Sequence, residues 1–240
     1  MNSTNMEGPK TEKIESLFDS IAGDYDKLNH LLSLDIDKTW RRRALKWIVE
    51  KEKPQQILDI ACGTGDFSIA IARHANDKTR VTGLDLSEGM LKVMERKVKA
   101  EGLDDKISAE QGNSEKMRFE DGQFDRVTIA FGIRNFEHRE TALKEIIRVL
   151  KTGGKLVILE LSVPSNPLIR WFYKLYFTKI LPLIGGKVSG DRAAYNYLPA
   201  SVLKFPKKEE WMETMRGCGF REVTHKAFTL GICRMYIGEK

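Results

Sequence analysis

The sequence predicts an α/β fold, in which a mostly parallel β-sheet is covered by helices on both faces and ends in an antiparallel hairpin. Two observations lead to this prediction. Short apolar segments rich in β-branched residues alternate with amphipathic helical segments, which is the pattern of parallel strands joined by right-handed crossovers. The last two strand segments are separated only by Thr229-Leu230-Gly231, which is too short for a crossover helix. We therefore expect a ligand crevice at the carboxyl edge of the parallel strands.

The individual elements follow from the spacing of apolar residues. Before the first strand, helical spacing covers residues 14–32 and 39–50. The predicted strands are 57–61, 81–86, 107–111, 124–131 and 155–161, followed by a hairpin of 223–228 and 232–237. Helices are predicted over 88–100, 141–150 and 207–216. Ser87 is a candidate N-cap for the first of these helices, and Gly153-Gly154 is expected to end the second.

Composition indicates one α/β domain with a full core, since the chain has 240 residues of which 41% are hydrophobic. We divide it into a helical cap over 1–53 and a Rossmann-like domain over 54–240 that carries a lid or insertion over 162–205. The three cysteines have no C-x-x-C spacing, which argues against a disulfide framework and a zinc site. The N-terminus lacks the order of a secretory signal, so we expect a cytoplasmic protein.

Residues 58–70, LDIACGTGDFSIA, contain a glycine turn between a strand and a helix. Gly63 and Gly65 match part of the dinucleotide fingerprint G-x-G-x-x-G, but Ser68 stands at its last position, so an ordinary tight turn is the alternative. Asp85 ends the second strand about twenty residues after Gly65, where an acid accepts hydrogen bonds from a ribose diol. The two features together predict an adenosine ligand.

The remaining sequence narrows the choice of adenosine ligand. No phosphate-binding P-loop motif is present, and Gly185-Gly186-Lys187 follows no predicted strand. A nicotinamide enzyme is expected to complete a parallel second half, whereas this chain ends in an antiparallel hairpin. S-adenosylmethionine carries no phosphate, and its cationic groups are favoured by acids near the loop such as Asp59 and Asp66. The sequence therefore favours S-adenosylmethionine as the cofactor.

Four segments carry a more specific signal. They are Phe18-Asp19-Ser20-Ile21-Ala22 with Tyr25-Asp26, Asn29, Ser33 and Trp40-Arg41; Phe131-Gly132-Ile133-Arg134-Asn135; RVLKTGGKLVILELS from Arg148 to Ser162; and Tyr195-x-Tyr197-Leu198-Pro199-x-Ser201 with Phe205-Pro206. Together they resemble the ubiquinone/menaquinone biosynthesis C-methyltransferases, a family of class I S-adenosylmethionine-dependent methyltransferases. The chain departs at Leu28, where the family usually has methionine, and at Asp37, where it often has histidine. The resemblance extends from Glu15 onward.

The resemblance also implies functional residues. The predicted cofactor-binding residues are Tyr25, Gly63, Thr64, Gly65, Asp85, Asn113, Ser114 and Ala130. Position 130 is alanine where a serine is common, so only a backbone contact is expected there. Asn113 can also be read as a simple turn residue.

Transfer of a methyl group to a ring carbon needs an electron-rich nucleophile, which a deprotonated quinol supplies without a metal. Arg134, just beyond strand four, is our candidate for stabilising the quinolate, although pairing with an acid is the structural alternative. Glu160 could be that partner. Tyr195 and Tyr197, with Tyr25, are candidates to flank the ring or bond its hydroxyls.

The resemblance implies a prenylated quinol as substrate, and we favour demethylmenaquinol over the ubiquinone precursor 2-methoxy-6-polyprenyl-1,4-benzoquinol. The aromatic-rich insertion with Arg170, Lys174 and Lys179 has the composition of an interfacial surface, with a lid that never meets lipid as the alternative. We thus expect peripheral contact with the inner face of the cytoplasmic membrane, and a homodimer.

Three other functions compete with methylation of a quinol. The net charge of +6 and the Arg41–Arg43 run suit a nucleic-acid methyltransferase, but the segment after strand four has neither an N/D-P-P-Y/F/W nor a Pro-Cys pattern. We therefore expect no nucleic-acid partner. A nicotinamide oxidoreductase would require the final hairpin to be absent, and a non-catalytic adenosine-binding module stays open at this point.

Overall fold

The sheet has seven strands in the order β3-β2-β1-β4-β5-β7-β6, of which β1 to β5 run parallel and β7 runs antiparallel to both of its neighbours. This computed structural model describes residues 9–23, 25–26, 33, 35–176 and 192–240, without the side chains of residues 174 and 192–196. The strand order reverses between β1 and β4. The carboxyl ends of these two strands therefore mark the switch point where α/β sheets bind ligands.

The bounds of the elements agree with the predicted alternation. The strands are β1 Gln56–Ile60, β2 Arg80–Asp85, β3 Ile107–Gln111, β4 Phe124–Ala130, β5 Leu150–Leu161, β6 Arg221–Phe228 and β7 Cys233–Glu239. The helices are α1 Thr11–Ile21, α2 Ile36–Ile48, α3 Asp66–His74, α4 Glu88–Ala100, α5 Arg139–Val149, α6 Pro167–Leu175, α7 Arg192–Lys204 and α8 Lys208–Gly217. Short 3₁₀ turns cover Ile133–Asn135 and Thr229–Gly231.

Both faces of the sheet are buried beneath helices, as the sequence predicts. Successive residues of β1 enter opposite cores: Ile57 packs with α2, α3 and α4, whereas Leu58 packs with α5 and α8. Trp211 and Met215 of α8 are fully buried in the second core, and Met212 packs against it from the edge. The C-terminal hairpin is confirmed, since β6 and β7 pair antiparallel across the 3₁₀ turn.

Two sequence predictions of element bounds are wrong. The helix predicted over residues 14–32 runs from Thr11 only to Ile21; residues 24 and 27–32 lie outside the described part of the chain. Gly153-Gly154 does not end a helix but lies within β5, which begins at Leu150. Gly153 has φ +75, and the register between β4 and β5 shifts beside it, so the glycine pair marks an irregularity in a strand pair.

The two N-terminal helices have different positions. Trp40 and Ile48 of α2 lie in the core beneath the sheet. By contrast, α1 crosses the carboxyl edge of the strands and is tied at both ends. At one end the Thr11 amide donates to Glu137 Oε2 at 2.9 Å, and at the other Asp19 accepts hydrogen bonds from the Ser87 hydroxyl and the Gly89 amide. Helix α1 therefore forms a roof over the switch point.

None of the helices in the described part of the chain is long and apolar enough to cross a lipid bilayer.

Candidate active site

A cleft of about 740 Å³, including its open mouth, lies beneath α1 at the carboxyl ends of β1, β2 and β4. Asp85 lines this cleft. Its carboxylate accepts hydrogen bonds from two backbone amides: Gly63 N–H donates to Oδ2 at 2.8 Å, and Ser87 N–H donates to Oδ1 at 3.0 Å. Burial raises the pKa of this carboxyl above its ordinary value, while the amides oppose that rise. The arrangement fixes a carboxylate where a ligand diol can donate to it.

The glycine turn between β1 and α3 needs its glycines for two reasons. Gly63 and Gly65 have φ of +56 and +84, a region that favours residues without a Cβ. A Cβ on Gly65 would come within 2.5 Å of the Met94 side chain, so the turn packs closely on α4. Gly65 is the N-cap residue of α3, and this turn brings the N-terminus of that helix to the edge of the sheet.

The predicted cofactor residues separate into two groups. Six of them line the cleft: Tyr25, Gly63, Asp85, Asn113, Ser114 and Ala130. Thr64 is almost fully buried, and its hydroxyl instead donates to Asp26, with Lys97 Nζ 3.5 Å away. Gly65 also lies behind the cleft wall. These two residues support the loop from behind.

Asn113 lies in a turn and also lines the cleft. Its Oδ1 accepts from the Glu115 amide at 2.8 Å, which is the hydrogen bond of an Asx turn. The same side chain lines the cleft beyond β3, where its amide nitrogen is placed to donate to a ligand. The turn therefore orients the side chain rather than excluding it from binding.

The charges of the cleft suit a cationic ligand without a phosphate. Four carboxylate residues line it, namely Glu15, Asp85, Glu115 and Glu137. Among the described residues of its wall there is no lysine or arginine. A pyrophosphate would meet repulsion at short range here, whereas a sulfonium or ammonium would be stabilised. The cleft thus fits S-adenosylmethionine by the chemistry of its side chains.

A second cavity of about 1260 Å³, the aromatic pocket, adjoins the cleft. Its wall consists mainly of aromatic and aliphatic side chains from α2, β5, α6 and the loop after β4, among them Trp40, Phe172 and Tyr173. Tyr25 and Phe131 line both cavities. The sequence did not predict that these residues form one wall, because they are far apart in the chain, although Tyr25, Trp40 and Phe131 stand in the quoted motifs.

Phe131 adopts a left-handed conformation with φ +62 directly after β4. A bulky residue in this region is strained, and such strain is concentrated at functional sites. Gly132 follows, and a Cβ there would come within 2.5 Å of the Ala61 Cβ at the end of β1. The close approach of these two strand ends turns the Phe131 ring toward α2, where it lies 6.0 Å from the Trp40 ring.

Arg134 lies in the 3₁₀ turn after β4 and lines the aromatic pocket. Its Nη1 forms a 2.8 Å ion pair with Glu160 Oε1 and also donates to the Phe131 carbonyl, and its Nε donates to Ser201 Oγ at 3.3 Å. Burial is the largest single influence and lowers the pKa of Arg134, but Glu160, Tyr25 and Tyr197 together outweigh it, so the pKa is raised above its ordinary value. The partnership expected with Glu160 is therefore present, within a pocket that could hold an aromatic ligand.

Tyr195 and Tyr197 were both predicted as catalytic residues beside Arg134, but the structure describes the side chain only of Tyr197. The Tyr197 hydroxyl donates to Asn135 Oδ1 at 2.8 Å, and burial raises its pKa. Because Asn135 lines the cleft, Tyr197 reaches the site through this residue. Tyr195 belongs to α7, but its side chain lies outside the description.

Comparison with known proteins agrees with this geometry. The model of the ubiE/COQ5 methyltransferase family matches residues 6–240. The chain is 44% identical to a demethylmenaquinone methyltransferase of Bacteroides fragilis, covering 98% of this chain and 95% of that protein. It is 46% identical to a ubiquinone/menaquinone biosynthesis C-methyltransferase UbiE of Geotalea daltonii, covering 96% and 97%.

Among solved structures, a SAM-dependent methyltransferase of Aquifex aeolicus superposes with a TM-score of 0.61 at 18% identity, over 82% of this chain and 88% of that one. This similarity shows the class I methyltransferase fold. Together with the family match, it makes the chain an S-adenosylmethionine-dependent methyltransferase. The chain belongs to the ubiE/COQ5 methyltransferase family.

Proposed function

We propose that this chain methylates a ring carbon of a prenylated quinol, with demethylmenaquinol as its substrate. The observation that carries the proposal is the junction of the two cavities. The acid-lined cleft and the aromatic pocket share Tyr25 and Phe131, so a methyl donor in the first lies next to a flat ring in the second. The names of the relatives in Bacteroides fragilis and Geotalea daltonii support the same substrate class.

Each group of residues has a part in the proposed reaction. When bound, S-adenosylmethionine would supply an electrophilic methyl group and leave as S-adenosylhomocysteine, while the quinol would release one proton to water. Asp85 and Asn113 would hold its adenosine, with Gly63, Ser114 and Ala130 beside it and Thr64 and Gly65 fixing the loop. The aromatic pocket excludes water and orients the ring. Arg134 stabilises the quinolate oxygen next to the accepting carbon, and Tyr197 positions Asn135 at the junction.

The charges beneath the pocket favour an anion near Arg134. Arg139, also buried, donates from Nη2 to the Arg134 carbonyl at 2.7 Å and stacks on Phe205. Two buried guanidiniums thus lie near the carboxylate of Glu160. A cation in a low-dielectric environment stabilises a deprotonated hydroxyl.

Anaerobic transfer of a labelled methyl group to short-chain demethylmenaquinol tests the proposal directly. We expect one methyl group per ring from the wild-type protein. Arg134→Met should lower kcat by about 10²–10³-fold, the usual loss for one preorganised electrostatic contact, with the affinity for S-adenosylmethionine unchanged. Arg42→Met, on the exposed side of α2, is the matched control. Labelling of a benzoquinol precursor but not of the naphthoquinol would contradict the assignment.

The same proposal includes peripheral contact with lipid through α6. Leu168, Trp171 and Phe172 of this helix are 57–67% exposed, and Phe172 also lines the aromatic pocket. The pocket wall is therefore continuous with an exposed apolar surface, beside the cation of Arg170. A polyprenyl tail could pass from the bilayer to the pocket along this face.

Flotation with anionic vesicles tests the contact. Leu168→Ser/Trp171→Ser should lose vesicle binding, whereas Trp47→Ser, a substitution of an exposed tryptophan that does not line the pocket, at the C-terminal end of α2, should retain it. Equal binding of the two variants would show that α6 does not meet lipid. The homodimer stays a prediction, and sedimentation equilibrium is its test.

A further inference from the structure

Arg41 is a buried cation of the aromatic pocket that the proposed reaction does not use. It projects from α2, lines the pocket, and has a side chain only 13% exposed. Its Nη1 pairs with the carboxylate of Asp37, and its guanidinium lies 5.4 Å from the centre of the Phe131 ring. The Nε atom is buried and has no hydrogen-bond partner among the described residues.

Because the Nε atom has almost no accessible surface, a ligand in the pocket would meet the terminal nitrogens of the guanidinium instead. The position of the guanidinium is fixed by Asp37. Asp37 is 5% exposed and accepts a 2.5 Å hydrogen bond from the Ser33 hydroxyl while it holds Arg41. All three residues line the aromatic pocket. The polar cluster is therefore built into a mostly apolar wall, and the partly exposed side chain of Arg41 is its cation there.

The pocket consequently has two polar ends, one at Arg134 and one at Arg41, and both of these residues contact Phe131. Arg134 donates to the carbonyl of that residue, whereas Arg41 lies over its ring. A 1,4-quinol is a flat aromatic ring with one oxygen on each of two opposite sides. We propose that Arg41 binds the second quinol oxygen, the one remote from the methylated carbon, and so fixes which ring carbon faces the methyl donor. This inference rests on the proposed function.

The two ends also differ in the charges beside them. Arg134 pairs with Glu160 and has a second buried cation, Arg139, at its carbonyl. Arg41 instead pairs with Asp37 and lies 3.8 Å from a carboxylate oxygen of Asp66. An anionic oxygen is therefore favoured at Arg134, and a neutral hydroxyl at Arg41. This orientation places the negative charge next to the carbon that attacks the methyl group.

A cycle of two proteins and two substrates tests the proposal. The substrates are short-chain demethylmenaquinol and the matching 3-prenyl-1-naphthol, which lacks only the second oxygen. Arg41→Met keeps an aliphatic stem over Phe131 but removes the donors. We expect it to raise KM for the quinol 10- to 100-fold and to change KM for the naphthol less than 3-fold. Arg42→Met, one residue along α2 and exposed, should alter neither value.

Equal losses on both substrates would overturn the proposal, because a purely structural role does not distinguish them. If Arg41→Met does not fold, binding of the two compounds to the wild-type protein decides the matter. The naphthol should then bind at least 10-fold more weakly than the quinol, and equal affinities would overturn the proposal. Failure of the proposed function itself is distinguishable, since the wild-type protein would then methylate neither compound.

Discussion

Asp85 illustrates how a single strand-end carboxylate organises the cofactor cleft. Its two oxygens accept the amides of Gly63 and Ser87, so the side chain joins the glycine turn to the start of α4 before any ligand is bound. Because these amides are already satisfied, the remaining lone pairs of the carboxylate are directed to the cleft that it lines.

Asp85→Asn should weaken binding of S-adenosylmethionine while the protein stays folded. Asparagine keeps one acceptor oxygen but loses the charge-assisted bond to a ribose hydroxyl, a loss of about 1.5–3 kcal/mol or roughly 10–150-fold in Kd. Isothermal titration calorimetry measures the change. Asp105→Asn, an exposed substitution far from the cleft, is the control. Affinity within a factor of two of wild type would show that Asp85 does not bind the ligand.

The same carboxyl predicts a pH dependence of binding. Burial raises its pKa, so it takes up a proton at a higher pH than an ordinary aspartate does. The ionised form accepts the ribose hydroxyls better, and affinity should therefore fall as the pH is lowered. Asp85→Asn cannot titrate at this position, so its affinity should depend less on pH over the same range.

At the residue scale, the sequence predicts strand-end positions better than side-chain directions. Asp85 and Asn113 line the cleft because the carboxyl ends of parallel strands share one edge. Thr64 lies between two left-handed glycines, and its contact with Asp26 spans 38 residues of chain, which no local pattern indicates. The unsatisfied Nε of Arg41 likewise depends on the packing of α2 beside β4.

At the scale of helices and strands, the single hydroxyl of Ser87 connects two helices, α1 and α4. It accepts from the Met90 amide at 3.0 Å as the N-cap of α4, and it donates to Asp19 of α1. The first bond was expected from sequence, since serine before an amphipathic helix is a capping signal. The second was not, because α1 meets α4 only through the tertiary fold.

Ser87→Ala should lower the free energy of unfolding by about 1–2 kcal/mol, since it removes the cap and the tie to α1 together. Asp19→Ala removes only the tie, and the double variant should lose less than the two single variants combined. Urea unfolding provides the values. Ser20→Ala, on the exposed face of α1, is the control. Strict additivity would show that Ser87 and Asp19 do not interact.

The sequence predicted the bounds of elements wrongly where the pairing of strands overrode a local signal. Gly153-Gly154 resembles a helix stop, yet β4 pairs with Leu150 before the glycines and with Lys155 after them. The glycines allow the strand to remain paired across a change of register. Helix α1 ends earlier than its apolar periodicity indicates, and the spacing of Ile14, Leu17 and Ile21 could not reveal this.

On the scale of the whole molecule, one buried carboxylate joins the two halves of the sheet at the switch point. Asp59 of β1 is 1% exposed and accepts hydrogen bonds of 2.6 Å from Ser68 on α3 and from Thr128 on β4. Burial raises its pKa from 3.8 to about 6, and the two hydroxyls only partly oppose this rise. The folded protein therefore binds this proton more tightly than the unfolded chain does.

The stability of the molecule should depend on pH through this group. Between about pH 4 and 6 the folded state retains a proton that the unfolded state has released, so the contribution of Asp59 to stability is greatest at low pH and decreases as the pH rises through 6. The difference between pKa values of 3.8 and about 6 corresponds to about 3 kcal/mol.

Asp59→Asn isolates this contribution, because asparagine can accept from one hydroxyl and donate to the other without ionising. Relative to this variant, the wild-type protein should lose about 2 kcal/mol of unfolding free energy between pH 4.5 and pH 7.5, as measured by urea titration at each pH, because part of the full effect is already lost at pH 4.5. Other titrating groups are common to both proteins and cancel in the difference. A difference that stays constant with pH would mean that Asp59 is already ionised in the folded protein at pH 4.5, and that its hydroxyl partners compensate fully for burial.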